Sequence, residues 1–118
     1  APVAMSPDGL RLACHWEEGE ERPVAVFDAT TGKQTAVCNG HRNGIWALSF
    51  SRDSTRLASG SEDQTARIWD PATGELLATC HGHTSKVLGL AFRPDGKRLV
   101  TASSDGTVRQ WDTATGRE

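Results

Sequence analysis

Serine, histidine and aspartate are the residue types of nucleophilic acyl transfer, and this chain carries them in recurring sets. His41, Ser59 and Asp63 form one set, and His83, Thr101 and Asp105 form another. A hydroxyl beside an imidazole that is itself held by a carboxylate suggests a hydrolase. Two features argue against it. The set recurs once per unit of sequence, which suits architecture better than a single active site. No Gly-x-Ser-x-Gly elbow and no oxyanion-hole motif accompanies it.

Cys80-His81-Gly82-His83 and Cys38-x-x-His41 raise metal chemistry in the same way. A zinc site needs four ligands converging in a tetrahedron. Cys38 and Cys80 fall in neighbouring units of sequence, so strand-end cysteines and structural histidines are the expectation. No Gly-rich phosphate loop is present, and no metal or cofactor is expected. Three cysteines, an odd and small number, argue against a disulfide framework and favour a reducing, cytoplasmic setting.

What positions these residues is a repeat. Gly40 to Asp70 reads GHRNGIWALSFSRDSTRLASGSEDQTARIWD, and Gly82 to Asp112 reads GHTSKVLGLAFRPDGKRLVTASSDGTVRQWD. The offset is 42 residues throughout, taking His41 to His83, Asp63 to Asp105 and Trp69 to Trp111. A fixed period of this size marks a repeat architecture. The Gly-His start and Trp-Asp finish of each unit resemble the WD40 family, whose repeats are the four-stranded blades of β-propellers.

The implied fold is all-β: consecutive four-stranded antiparallel blades of an incomplete ring. Residues 1–39 are a degenerate first blade with the start of its first strand missing. Residues 40–81 are the second blade, and 82–118 a third without its outermost strand. Ile45–Phe50 and Val87–Phe92 are apolar on both faces, which predicts innermost strands sandwiched between blades. Arg56–Ser61 and Arg98–Ser103 follow, then Ala66–Trp69 and Val108–Trp111. Gln34–Cys38 and Leu76–Cys80 are outermost. Ser6-Pro7-Asp8-Gly9 and Arg93-Pro94-Asp95-Gly96 are turns. No helix is expected.

The resemblance also implies a structural hydrogen-bonded tetrad in each blade: His41, Ser59, Asp63 and Trp69 in the second, and His83, Thr101, Asp105 and Trp111 in the third. The first blade departs from the pattern. Cys14 stands at the hydroxyl position, Glu21 at the aspartate position and Phe27 at the tryptophan position. Three extra residues fall between His15 and Pro23, and Glu17, Glu18, Glu20 and Glu21 suggest a solvated loop tip. Gln110 replaces the apolar Ile68 on a strand expected to be buried.

Function is expected to be non-catalytic: an interaction scaffold for a protein partner within a larger propeller. The alternative is a structural protomer that self-associates into a closed ring. Members of the family dock partners near the start of the innermost strand. The partner-binding candidates are therefore Arg42, Asn43, Trp46 and Glu62 in the second blade, with Ser85, Lys86, Leu88 and Ser104 in the third. Trp46 aligns with Leu88 and Ala1, and is the natural apolar anchor. The formal net charge of −2, with no basic run, predicts neither nucleic-acid nor membrane binding. No secretory leader is expected. The Asp-x-Ala-Thr-Gly and Pro-Asp-Gly-Lys phrasing resembles bacterial members of the family.

Overall fold

A computed structural model describes residues 2–15 and 23–118. The described residues form three antiparallel sheets and no helix. The first holds β1 (Val3–Met5), β2 (Arg11–His15), β3 (Val24–Asp28) and β4 (Gln34–Cys38). The second holds β5 (Ile45–Phe50), β6 (Leu57–Ser61), β7 (Ala66–Trp69) and β8 (Leu76–Cys80). The third holds β9 (Val87–Phe92), β10 (Arg98–Ser103) and β11 (Val108–Asp112). Each sheet is a meander in chain order, so each is one blade.

Turn chemistry ends the strands where the sequence places it. In the β7–β8 turn, Asp70 Oδ1 accepts the Ala72 N–H at 2.9 Å, and the Asp70 carbonyl accepts the Gly74 N–H at 2.8 Å. Gly74 has φ +79, and a Cβ on it would lie 2.2 Å from the Val37 carbonyl oxygen of the first blade. Only glycine lets this turn approach the neighbouring sheet so closely. Ser54 holds φ 65 where Gly9 and Gly96 hold the same kind of turn. Its hydroxyl accepts the Asp8 N–H at 3.2 Å, a contact between the first two blades.

The core lies between sheets. One cluster joins Val24, Val26, Ala36 and Cys38 of the first blade to Phe50, Leu57 and Trp69 of the second. The other joins Ala58, Ile68 and Cys80 to Val87, Leu99 and Trp111 of the third. Trp69 and Trp111 are wholly buried. An area the size of an indole removed from water at both seams is the main force holding adjacent blades together.

The expectation of innermost strands sandwiched between blades holds for β5 and is corrected for β9. β5 lies between β1 of the first blade and β9 of the third, and it buries Ile45 and Phe50 while Trp46 at its start is exposed. β9 packs on β5 and β6 and buries Val87, but Leu88 and Ala91 are exposed, because among the described residues no further sheet covers its other face. The fully buried strand of the second blade is β6. Gln110, expected to be buried like Ile68, is exposed, because among the described residues no sheet covers its face of the third blade. Ala1, Glu17, Glu18, Glu20 and Glu21 lie outside the described residues.

Candidate functional site

In the second blade the chain of contacts starts at a carboxylate. Asp63 sits in the β6–β7 turn, and its Oδ2 accepts from His41 Nδ1 at 2.8 Å. With that proton placed on Nδ1, His41 Nε2 accepts from the Ser59 hydroxyl at 2.6 Å. The Ser59 oxygen in turn accepts from the Trp69 indole N–H at 2.7 Å. Every proton in the chain therefore has one acceptor. The third blade repeats it: His83 to Asp105 at 2.8 Å, Thr101 to His83 at 2.7 Å, and Trp111 to Thr101 at 2.8 Å. The histidine comes from the loop before the innermost strand, the hydroxyl from the second strand, and the indole from the third.

Further residues, not singled out by sequence reasoning, complete the arrangement. Thr65 donates its hydroxyl to Asp63 Oδ1 at 2.6 Å, and Thr107 does the same to Asp105. Ser61 donates to the carbonyls of Asn43 and Gly44, and Ser103 to those of Ser85 and Lys86. These clamps tie the tight turn to the loop that precedes the innermost strand. The repeat itself carries their signal, since Thr65 and Thr107, like Ser61 and Ser103, fall one period apart.

The electrostatics follow from the donors. Burial would raise the Asp63 carboxyl, but hydrogen bonds from His41 and Thr65 outweigh it and hold the group well below its ordinary range. Asp105 is held low first by the Thr107 hydroxyl and then, against its own desolvation, by His83. Both carboxylates are therefore ionised acceptors at neutral pH.

The glycine of Gly-His has a packing reason. A Cβ on Gly82 would lie 2.9 Å from the Trp111 ring, and one on Gly40 would lie 3.2 Å from the Trp69 ring. The loop can bring its histidine to the hydroxyl only by passing over the indole edge.

Ser59, His41 and Asp63 are thus joined in the order of a catalytic triad, but the hydroxyl has no route to a substrate. Ser59 and Thr101 are 0% exposed, and each oxygen already accepts an indole proton. The arrangement can orient a loop and lock strand register. In the first blade, Cys14 pairs in register with Val3 and Ala25, and Phe27 is half-buried. All three cysteines are free thiols. Burial pushes Cys38 and Cys80 up to about 12, which leaves both as protonated thiols at neutral pH.

The partner-binding candidates fall at the loop ends of the second and third blades. Trp46 is 48% exposed, and its indole N–H donates to Glu62 Oε1 at 3.0 Å. Lys86 reaches across from the third blade, with Nζ 5.1 Å from the Trp46 ring centre and 3.6 Å from Glu62 Oε1. Ser85 and Ser104 pair through their hydroxyls at 2.7 Å. The Arg42 N–H is held by Asp63 Oδ2, and Arg42, Asn43 and Leu88 are exposed. The structure brings Trp46, Glu62 and Lys86 into one cluster and Ser85 and Ser104 into another. It shows no such contact for the Leu88 side chain.

Comparison with known proteins follows the same two units. The family model described as WD domain, G-beta repeat matches residues 32–70 and 74–112. The chain is 42% identical over 67 residues to WD repeat-containing protein 1 of Xenopus tropicalis, covering 54% of this chain and 10% of that protein. It is 39% identical over 67 residues to the protein of that name from Bos taurus, covering 54% of this chain and 11% of the other. The chain thus spans about a tenth of the length of these curated relatives. With the family model matched twice across more than half of its residues, this chain belongs to the WD40 repeat family.

Proposed function

We propose that the chain is a non-catalytic interaction scaffold, part of a larger WD40 propeller, and that its partner docks on the loops around Trp46. WD40 domains generally mediate protein–protein interaction, which supports the broad reading. The observation that carries the specific one is the exposure of Trp46. A large indole left 48% exposed, while Trp69 and Trp111 are wholly buried, is available as an anchor for a partner. The loops beside it are fixed by the Asp63 and Asp105 networks, so they present side chains at low entropic cost. Arg42, Glu62 and Lys86 supply charge selectivity, and Asn43, Ser85 and Ser104 supply a polar rim. Leu88 offers a second apolar contact.

Buried hydroxyls in place of accessible nucleophiles support a non-catalytic role. Free cysteines suit a reducing compartment such as the cytoplasm. The test is Trp46→Ala, with folding checked by circular dichroism. Proteins captured by the unaltered chain should lose about 2 kcal/mol or more of binding free energy to the variant. Undiminished capture by a folded variant would overturn the assignment of this face.

A further inference from the structure

Arg67 and Arg109 are one period apart in sequence, and their surroundings differ by one carboxylate. Each lies on the third strand of its blade, two residues before the buried tryptophan and on the same face of the sheet. Each sets its guanidinium against the glycine of Gly-His. A Cβ on Gly40 would lie 2.5 Å from Arg67 Nη1, and one on Gly82 would lie 3.4 Å from Arg109 Nη1. In the third blade the cation is paired. Arg109 Nη1 donates to Glu118 Oε1 at 2.8 Å, and Arg109 Nε donates to the Thr107 hydroxyl oxygen at 3.3 Å. Glu118 Oε1 also borders the glycine, 3.5 Å from where a Gly82 Cβ would stand.

The second blade has the arginine without the carboxylate. Leu76 stands at the place of Glu118, and it is 40% exposed. Among the described residues Arg67 makes no hydrogen bond and no ion pair, and its Nε is buried. A guanidinium donor taken out of water with no acceptor is unfavourable, so the site favours an added anion. Arg67 as a whole is only partly buried, which leaves an approach from solvent. Its face of the second blade packs on the first, so these surroundings lie inside the chain. Arg42, two residues beyond Gly40, is exposed and also has no ion pair among the described residues.

We propose that Arg67 is a carboxylate-binding site, which takes an Asp or Glu side chain of a protein partner in the place that Glu118 holds against Arg109. The planar fork of an arginine presents parallel N–H donors that match the two oxygens of a carboxylate. Gly40 leaves the room beside the fork that Gly82 leaves for Glu118. Arg42 adds a second positive charge for an acidic segment. The site is separate from the Trp46 indole, and carboxylate binding here does not rest on a partner docking there.

Proton–nitrogen correlation spectra of the full chain test this, because the buried Arg67 Nε–H is shielded from exchange with water and reports on its own guanidinium. The probe is a hexaglutamate peptide, acetylated and amidated at its ends and added at constant ionic strength. The Arg67 signal should shift and saturate. Leu76→Glu, at an exposed position, should rebuild the pair of the third blade without unfolding the chain. Its Arg67 signal should be displaced before any peptide is added. Peptide affinity should then fall about tenfold, because a tethered carboxylate competes at a high effective concentration. Trp46→Ala should leave the Arg67 response unchanged. The proposal is overturned if the Arg67 signal does not move, or if sodium chloride moves it equally. It is also overturned if Leu76→Glu binds the peptide as tightly as the unaltered chain, or if Trp46→Ala abolishes the response, which would put the carboxylate at the Trp46 loops.

Discussion

His41 and Ser59 lie 18 residues apart in the chain and 2.6 Å apart in space. The contact ties the loop before β5 to the middle of β6, and its geometry is set by Asp63, whose Oδ2 accepts a hydrogen bond from the other ring nitrogen at 2.8 Å. Removing the carboxylate leaves the buried imidazole N–H with only a long 3.5 Å contact to the Thr65 hydroxyl. Asp63→Ala is therefore expected to cost about 1–3 kcal/mol in denaturant melts at fixed protein concentration. Ser104→Ala, on an exposed residue, should cost less than about 0.5 kcal/mol. Equal losses would show that the Asp63 chain does not organise the blade.

Acid should weaken the protein through the same group. The Asp63 carboxyl titrates lower folded than its ordinary value of 3.8, so near and below that value the unfolded chain binds more protons than the folded one. Stability then rises with pH. The contribution is fully present above the ordinary range and is lost as pH falls through the folded value. Unfolding free energy should decline from about pH 5 towards pH 2, and Asp63→Asn should flatten that decline. An identical pH profile for the variant would refute the assignment.

The sequence period places eight of the eleven described strands, β4 to β11, to within a residue or two, because turn residues and apolar runs recur together. It also picks out His41, Ser59, Asp63 and Trp69 as a group, and these four are hydrogen-bonded. Exposure was harder to read. An innermost strand looks apolar on both faces whether a neighbour covers it or not, so Trp46 reads equally as core and as surface. Gln110 was misjudged for the same reason: burial belongs to the neighbouring sheet and not to the strand. The Lys86–Trp46–Glu62 cluster crosses two blades, so no local spacing announces it. Thr65 and Ser61 were legible by period, but hydroxyls in polar turns are too common to stand out.

The Gly-His signature makes a steric prediction. A methyl at residue 82 would meet the Trp111 ring at 2.9 Å, and that ring is wholly buried. Gly82→Ala should cost about 1–3 kcal/mol, the range for overpacking a fixed core. Gly89→Ala is the control, since a Cβ there meets nothing within 4 Å. Comparable losses at both positions would mean that the loop carries no such constraint.

The tryptophans separate architecture from surface. Trp69 is wholly buried at the first seam and donates to Ser59, so Trp69→Ala removes both packing and a hydrogen bond. It should cost about 3–5 kcal/mol. Trp46→Ala removes a half-exposed ring, one hydrogen bond to Glu62 and the contact with Lys86. Exposed cation–π and ion-pair contacts contribute little each, so this loss should stay below about 1 kcal/mol. Intrinsic fluorescence gives a second reading. The indole at residue 46 emits from a wet environment, so the Trp46→Ala spectrum should shift to shorter wavelength, while Trp69→Ala should shift to longer wavelength. A large stability loss at Trp46 would make it a core residue and remove the basis for placing a partner there.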